Sequence, residues 1–146
     1  MNYSQFFLET SSGLFDFSIL MIRFFIGICF IVHGLGKLGI VGSGNMLGFE
    51  GWLKSMNIPF AGIQARMAML TEIIGGTLLV LGLGTRIGAM LCFFVMIVAT
   101  LIGHKGGGYL ITNNPPGREY TINLAAISAL IFLLGPGSYS LDSFLF

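Results

Sequence analysis

The sequence has little charge: only 9% of its 146 residues are Asp, Glu, Lys or Arg, against about 25% in an ordinary soluble domain. Its 7 Lys+Arg and 6 Asp+Glu leave a net charge of +1, which excludes the concentrated basic surface of a nucleic-acid-binding protein. With 2 cysteines, a disulfide-dense secreted scaffold is excluded as well. Hydrophobic residues instead make up 55% of the chain. So little charge cannot cover a soluble surface of this size, and the composition predicts an integral membrane protein surrounded by the lipid bilayer.

Four long apolar runs are candidates for membrane-spanning helices, because a span needs roughly 20 mostly apolar residues. They cover about residues 17–38, 63–83, 86–102 and 120–134. Backbone groups in lipid must be hydrogen-bonded within the segment, so runs of this length form helices rather than strands. We therefore predict an all-α membrane protein, an antiparallel four-transmembrane-helix bundle that forms a single integral membrane domain over residues 1–146.

The connection between the first two runs has a helical pattern of its own. Its apolar residues recur at helical spacing and are Met46, Leu47, Phe49, Trp52, Leu53 and Met56. Pro59 follows and would stop a helix. An amphipathic stretch of this kind lies in the plane of the membrane interface, with Trp52 at the depth of the lipid headgroups. We predict a short interfacial helix over residues 46–56 that caps the polar pocket described next.

Ionisable side chains inside membrane helices are functional candidates, because a charge at the helix centre costs ~2.5–3.5 kcal/mol on insertion scales. Six side chains qualify: Arg23, His33, Lys37, Glu72, His104 and Glu119. In an antiparallel bundle, all of them except Arg23 belong to the same half of the membrane. His33 and Lys37 share a helix face at spacing i, i+4, as do Glu119 and Asn123. We predict that five converge on one pocket, where Glu72 is paired, and that Arg23 closes the pocket floor through a carboxylate.

A structural explanation of these charges stays open beside the functional one. Lys37, His104 and Glu119 lie near the ends of their helices, from which side chains reach water without any further role. Arg23 and Glu72 lie deeper and could form a purely structural ion pair.

The ligand types of a metal site are present in the same set. The candidates are His33, Glu72, His104 and Glu119, which would suit iron, zinc or copper. No HxxxH or ExxH pair supports such a site, so metal and haem are left open and are not predicted. Cys29 and Cys92 lie at different depths in their helices, which argues against a disulfide.

Short motifs recur in a fixed order along the chain. They are Arg23, His33-Gly34 and Lys37-Leu38; Phe49, Leu53 and residues 56–59; Glu72, Gly75-Gly76 and residues 81–86; and His104, Glu119 and residues 135–137 and 140–142. With these motifs, from about residue 20 to 142, the chain resembles the DoxX family of small four-helix membrane proteins. Asn57 stands where the family usually has a glycine before Ile-Pro, which is a departure in the loop.

The resemblance implies a multi-pass protein of the bacterial inner (cytoplasmic) membrane. Members of the family have been linked to oxidoreductase assemblies, among them a thiosulfate:quinone oxidoreductase subunit and a membrane complex for thiol and superoxide defence. Our leading interpretation is a subunit of a quinone-linked oxidoreductase with a polar pocket in one membrane half. The chain has no flavin, haem c or iron–sulfur motif, so a soluble or membrane redox partner would supply the electrons.

Within this interpretation the candidate catalytic residues are His33, Glu72, His104 and Glu119. The candidate contacts to the quinone are Arg23, His33, Lys37, Glu72, His104 and Asn123. The histidines and Lys37 would donate to carbonyl oxygens, and the carboxyl groups would deliver protons.

Two functions of other classes stay open. One is a non-enzymatic scaffold for membrane assembly, in which the charged side chains form internal salt bridges. The other is a carrier for a small solute or metal. A homo-oligomer is open as well. The two long connections carry most of the Lys and Arg, which indicates that they face the cytoplasm.

Overall fold

The structure, a computed structural model, describes residues 11–146. All regular structure within this range is helical, which confirms the predicted fold class at that level. The elements are α1 (Ser12–Leu38), α2 (Met46–Ser55), α3 (Ala61–Leu81), α4 (Thr85–Val98) with a π-helical turn directly after it (Ala99–Gly103), α5 (Glu119–Leu134) and α6 (Leu141–Leu145).

Three of these helices are long and apolar enough to cross a membrane: α1, α3, and α4 together with its π turn. Large apolar side chains cover their outer faces, and Phe25, Met67 and Phe94 are each more than half exposed. Such a continuous apolar exterior suits lipid and not water. α5 is also apolar but has 16 residues, a length of about 24 Å against about 30 Å of hydrocarbon core.

α1 begins earlier than its apolar run predicts. The Ser11 hydroxyl accepts a hydrogen bond from the N–H of Leu14 at 3.3 Å, which caps the first turn. The helix therefore includes the polar residues around Ser12 that hydropathy alone leaves out. It ends at Leu38 because Gly39 adopts a left-handed conformation with φ of +79°.

α2 occupies the stretch for which the sequence predicts a short helix. Asn45 caps its start, since the Asn45 Oδ1 accepts a hydrogen bond from the N–H of Gly48 at 2.8 Å. The helix ends at Ser55, two residues before Asn57, whose φ of +58° is left-handed. Leu53 is buried with Ala65, so α2 packs against the first part of α3.

Glycines let the long helices approach one another closely. A Cβ atom placed on Gly27 of α1 would lie 2.6 Å from the carbonyl oxygen of Gly76, and one on Gly76 would lie 2.6 Å from that of Gly27. α3 and α4 meet in the same way, because a Cβ on Gly88 would lie 2.9 Å from the Gly75 carbonyl oxygen. Contacts of this kind are typical of helices in membranes, where small residues permit close packing.

The turn between α3 and α4 is held by the end of the chain. The Asp142 carboxylate accepts hydrogen bonds from the N–H groups of Gly84 at 2.6 Å and Thr85 at 2.8 Å. These donors belong to the start of α4, where backbone N–H groups have no partner within the helix. Asp142 therefore caps α4 from a distant part of the sequence.

We expect Asp142→Asn to lower the free energy of unfolding at pH 7 by about 1 kcal/mol, the usual value of a cap. Burial works to raise the pKa of Asp142, but hydrogen bonds from Thr85 and Gly84 outweigh it and hold this pKa below its ordinary value. Stabilisation by such a group is present above its unfolded pKa, about 3.9, and is lost as the pH falls through the lower folded pKa. Thermal unfolding followed by circular dichroism in detergent should separate wild type and variant at pH 7 and bring them together at strongly acid pH. Equal melting temperatures at pH 7 would contradict the capping role.

Candidate functional site

A cavity of about 420 Å³ lies between the helices that carry most of the predicted polar residues. α1, α3, α4 with its π turn, and α5 each contribute to its walls, and α2 adds Phe49, Trp52 and Leu53. Most of the lining is apolar. The polar side chains that line it are His33, Lys37, Gln64, Glu72, His104, Tyr120 and Thr121. Four of the five residues predicted to share a pocket, all except Glu119, therefore lie on one cavity.

An ion pair lies on the α1–α3 side of the cavity. The Lys37 Nζ is 2.5 Å from the Glu72 Oε2, and Glu72 is only 3% exposed. This agrees with the prediction that Glu72 lies inside the protein with a partner. Lys37 also lies over the ring of Phe49 in α2, 5.0 Å from the ring centroid, which gives it a second favourable contact. One ammonium group thus connects the first three helices.

The sequence did not predict that Cys29, Tyr120 and His33 form a hydrogen-bonded group beside the cavity. The Tyr120 hydroxyl is 2.6 Å from the Nε2 of His33 and 2.9 Å from the Sγ of Cys29. Cys29 and His33 are four residues apart on α1 and share a face, while Tyr120 lies in the first turn of α5. The spacing of Cys29 and His33 was a usable signal, but nothing in the sequence set Tyr120 apart from an ordinary interfacial tyrosine.

The π turn shapes the opposite wall of the cavity. The N–H of His104 bonds to the carbonyl oxygen of Ala99 at 3.0 Å, five residues back, as a π turn requires. The His104 Nδ1 is 3.1 Å from the Pro116 carbonyl oxygen, which connects this wall to the following loop. A Cβ on Gly103 would lie 3.0 Å from the Trp52 ring, so glycine makes room for the indole of α2.

Three predicted site residues lie elsewhere, and these predictions were wrong about their position. Glu119 is the first residue of α5, and its carboxylate accepts a hydrogen bond from the N–H of Ile111 at 3.2 Å in the preceding loop. Asn123 is exposed on the outside of α5. It shares a face with Glu119, but the cavity face of this helix is the neighbouring one, which carries Tyr120 and Leu124.

Arg23 does not close the floor of the cavity. It lies ten residues before His33, about 15 Å away along α1, and it is 1% exposed. Its guanidinium donates to the carbonyl oxygens of Leu79, at 3.3 Å, and Tyr139. The chain after α5 folds back over this end of the bundle, which sequence periodicity could not show. Arg23 therefore holds the C-terminal segment in place.

Metal-ligating side chains are not gathered in the part of the chain that the structure describes. No three His, Cys, Asp or Glu residues between 11 and 146 come close enough together to hold an ion. Cys29 and Cys92 both have free thiols.

This fold and this cavity define a helical membrane protein with a polar site between apolar helices. The sequence model of the DoxX family matches residues 18–105. Since this match covers more than half of the chain, the protein belongs to the DoxX family, as its motifs predict.

Three relatives extend the likeness over most of the chain. It is 32% identical over 133 residues to "Uncharacterized membrane protein Rv3486" of Mycobacterium tuberculosis, covering 86% of this chain and 79% of the relative. It is 29% identical over 130 residues to "Inner membrane protein YphA" of Escherichia coli, covering 85% and 87%. It is 32% identical over 133 residues to "Putative oxidoreductase CatD" of Bacillus subtilis, covering 90% of both. No solved structure matches the chain.

Proposed function

We propose that this protein is a membrane subunit of an oxidoreductase and that its cavity binds a quinone headgroup. The observation that carries this proposal is an ion pair and a His–Tyr pair on the wall of a largely apolar cavity of about 420 Å³. A quinone headgroup is a flat apolar ring with two carbonyl oxygens, so it needs apolar walls and a small number of hydrogen-bond donors. The cavity supplies both.

Two donors stand on successive turns of α1. Lys37 has three ammonium protons, of which the bond to Glu72 uses one, and His33 lies four residues earlier on the same face. Residues at this spacing share one face of a helix, so both donors are presented to the same cavity. Glu72 and His104 line the same cavity and are the groups that exchange protons with the ring oxygens. The electrons come from a redox partner protein.

We further propose that α5 is the fourth span and that it runs antiparallel to α4. Its 16 residues reach across a bilayer that thins locally at a modest energetic cost. The two long connections then lie on one side of the membrane with Lys54, Lys105 and Arg118, and the excess of positive charge favours the cytoplasmic side. The name of the Escherichia coli relative supports a location in a bacterial inner membrane. The name of the Bacillus subtilis relative supports a role as an oxidoreductase.

Trp52 makes the proposal testable, because it is the single tryptophan of the chain and lines the cavity. We expect menadione, a naphthoquinone without an isoprenoid tail, to quench Trp52 fluorescence of the purified protein in nanodiscs with saturable dependence on concentration. Ala68→Phe fills the cavity with an apolar ring and should abolish the saturable quenching. Ala126→Phe is the matched control, since Ala126 is exposed on α5 and does not line the cavity.

The alternatives predict other results of the same experiment. Quenching that does not saturate, or that Ala68→Phe leaves unchanged, would overturn the quinone proposal and favour a scaffold whose ion pair is only structural. Stoichiometric metal in the purified protein by elemental analysis, without quinone binding, would overturn it in favour of a carrier.

A further inference from the structure

The hydrogen-bonded chain from Cys29 through Tyr120 to His33 has a direction that follows from its chemistry. Tyr120 can donate one proton, and it has two neighbours: the Nε2 of His33 at 2.6 Å and the Sγ of Cys29 at 2.9 Å. An imidazole nitrogen lone pair is a good acceptor, whereas a thiol sulfur is a weak one. The short O···N distance fits a phenol that donates to imidazole. The thiol of Cys29, in turn, donates to the phenol oxygen.

This direction determines which nitrogen of His33 carries the proton. A neutral imidazole has one N–H group and one bare nitrogen. If Nε2 accepts from Tyr120, the proton lies on Nδ1. His33 is exposed and lines the cavity, and the hydrogen bond that it makes among residues 11–146 is through Nε2. The Nδ1–H is therefore the group of this histidine that remains free to donate.

We infer that Tyr120 is a positioning residue that holds His33 as the Nδ1–H tautomer, so that the cavity selects ligands that present an acceptor oxygen to His33. The assignment of the ligand as a quinone rests on the proposed function, but the tautomer does not. A ligand that matches this site has a carbonyl oxygen beside His33. An apolar ring of the same shape without carbonyl groups loses this bond.

The wild-type protein alone provides the first test. In ¹⁵N spectra of histidine-labelled protein in nanodiscs at pH 8, where a histidine is neutral, we expect the His33 proton on Nδ1. Tyr120→Phe keeps the ring and removes the donor, and His33 should change to the commoner Nε2–H form. Cys29→Ala should leave the Nδ1–H form in place, because the Cys29 thiol bonds to the Tyr120 hydroxyl and not to His33. Tyr109→Phe is the matched control, since Tyr109 is exposed and lies outside the cavity.

Ligand affinity provides the second test, with the indole N–H signal of Trp52 reporting on binding. Tyr120→Phe should weaken menadione binding about three- to tenfold, the effect of one neutral hydrogen bond. Binding of 2-methylnaphthalene, which has the same ring system without carbonyl groups, should be unchanged.

The outcomes separate this inference from the proposed function. A wild-type His33 with its proton on Nε2 overturns the inference whether or not menadione binds. A protein with the Nδ1–H tautomer that does not bind menadione overturns the quinone proposal and supports the role of Tyr120. Equal weakening of both ligands by Tyr120→Phe would show a general loss of packing and would overturn the selection of acceptor oxygens.

Discussion

Lys37→Met is expected to lower the free energy of unfolding by about 3 kcal/mol, at the low end of the effect of removing one member of a buried ion pair. The variant leaves Glu72, which is 3% exposed, with a carboxylate that has lost its counter-charge. It also removes the contact of the ammonium group with the Phe49 ring. Unfolding of the purified protein by SDS in mixed micelles, followed by circular dichroism, measures this loss.

The chain offers a matched control for this variant in α2. Lys54 forms an ion pair with Glu50 at 2.8 Å, but the Lys54 side chain is 65% exposed. Exposed pairs are worth about 0–1 kcal/mol, so Lys54→Met should have a small effect. The double variant Lys37→Met/Glu72→Leu removes both charges and should recover most of the lost stability. If Lys37→Met unfolds at the same SDS fraction as Lys54→Met, the pair does not stabilise the fold.

Gly27→Ala and Gly76→Ala are expected to be the other strongly destabilising changes, each by about 2–3 kcal/mol. Either methyl group would lie within 2.6 Å of a backbone carbonyl oxygen of the facing helix. Backbone cannot move aside as a flexible side chain can, so α1 and α3 must separate. The same SDS unfolding assay measures the loss of stability. Because neither substitution changes the charge of the protein, this loss does not come from an ion pair.

Gly13→Ala is the matched control for these two variants. Gly13 also lies in α1, but a Cβ there meets no atom within 4 Å. Alanine is a better helix former than glycine, so this variant should be as stable as wild type or more stable, by up to about 1 kcal/mol. A Gly27→Ala protein as stable as Gly13→Ala would show that the two helices can repack.

The predicted arrangement of the site succeeded where it rested on charge and depth. Glu72 cannot face lipid without a large cost, so its position near the middle of an apolar run was enough to place it inside beside a cation. The shared position of His33 and Lys37 on the cavity wall could be predicted because residues four apart lie on one face of a helix. The position of His104 on the same cavity as Glu72 could be predicted because the short turn between α3 and α4 makes these two helices neighbours.

The prediction of the site failed for residues whose position depends on which face of a helix points inward, or on where the end of the chain folds back. Glu119 and Asn123 do share a face of α5, but the sequence does not say which face points inward. In that helix the inward face is identified by Tyr120 and by buried Ser128, neither of which carries a charge. Arg23 was assigned a place at the cavity because the return of the last residues, which supply the Tyr139 carbonyl oxygen, leaves no periodic signal.

The π turn after α4 has a consequence for the alignment of related chains. A π turn holds one residue more than an α-helical turn would hold in the same place. Deletion of a single residue between Ala99 and Gly103 would let this turn close as a regular α-helical turn with His104 still on its present wall. The same deletion within α4 would instead rotate His104 by about 100° around the axis. A gap of one residue in an alignment of related chains therefore belongs in this turn and not in the helix before it. Chains that differ here by one position therefore keep the same flanking side chains on the cavity.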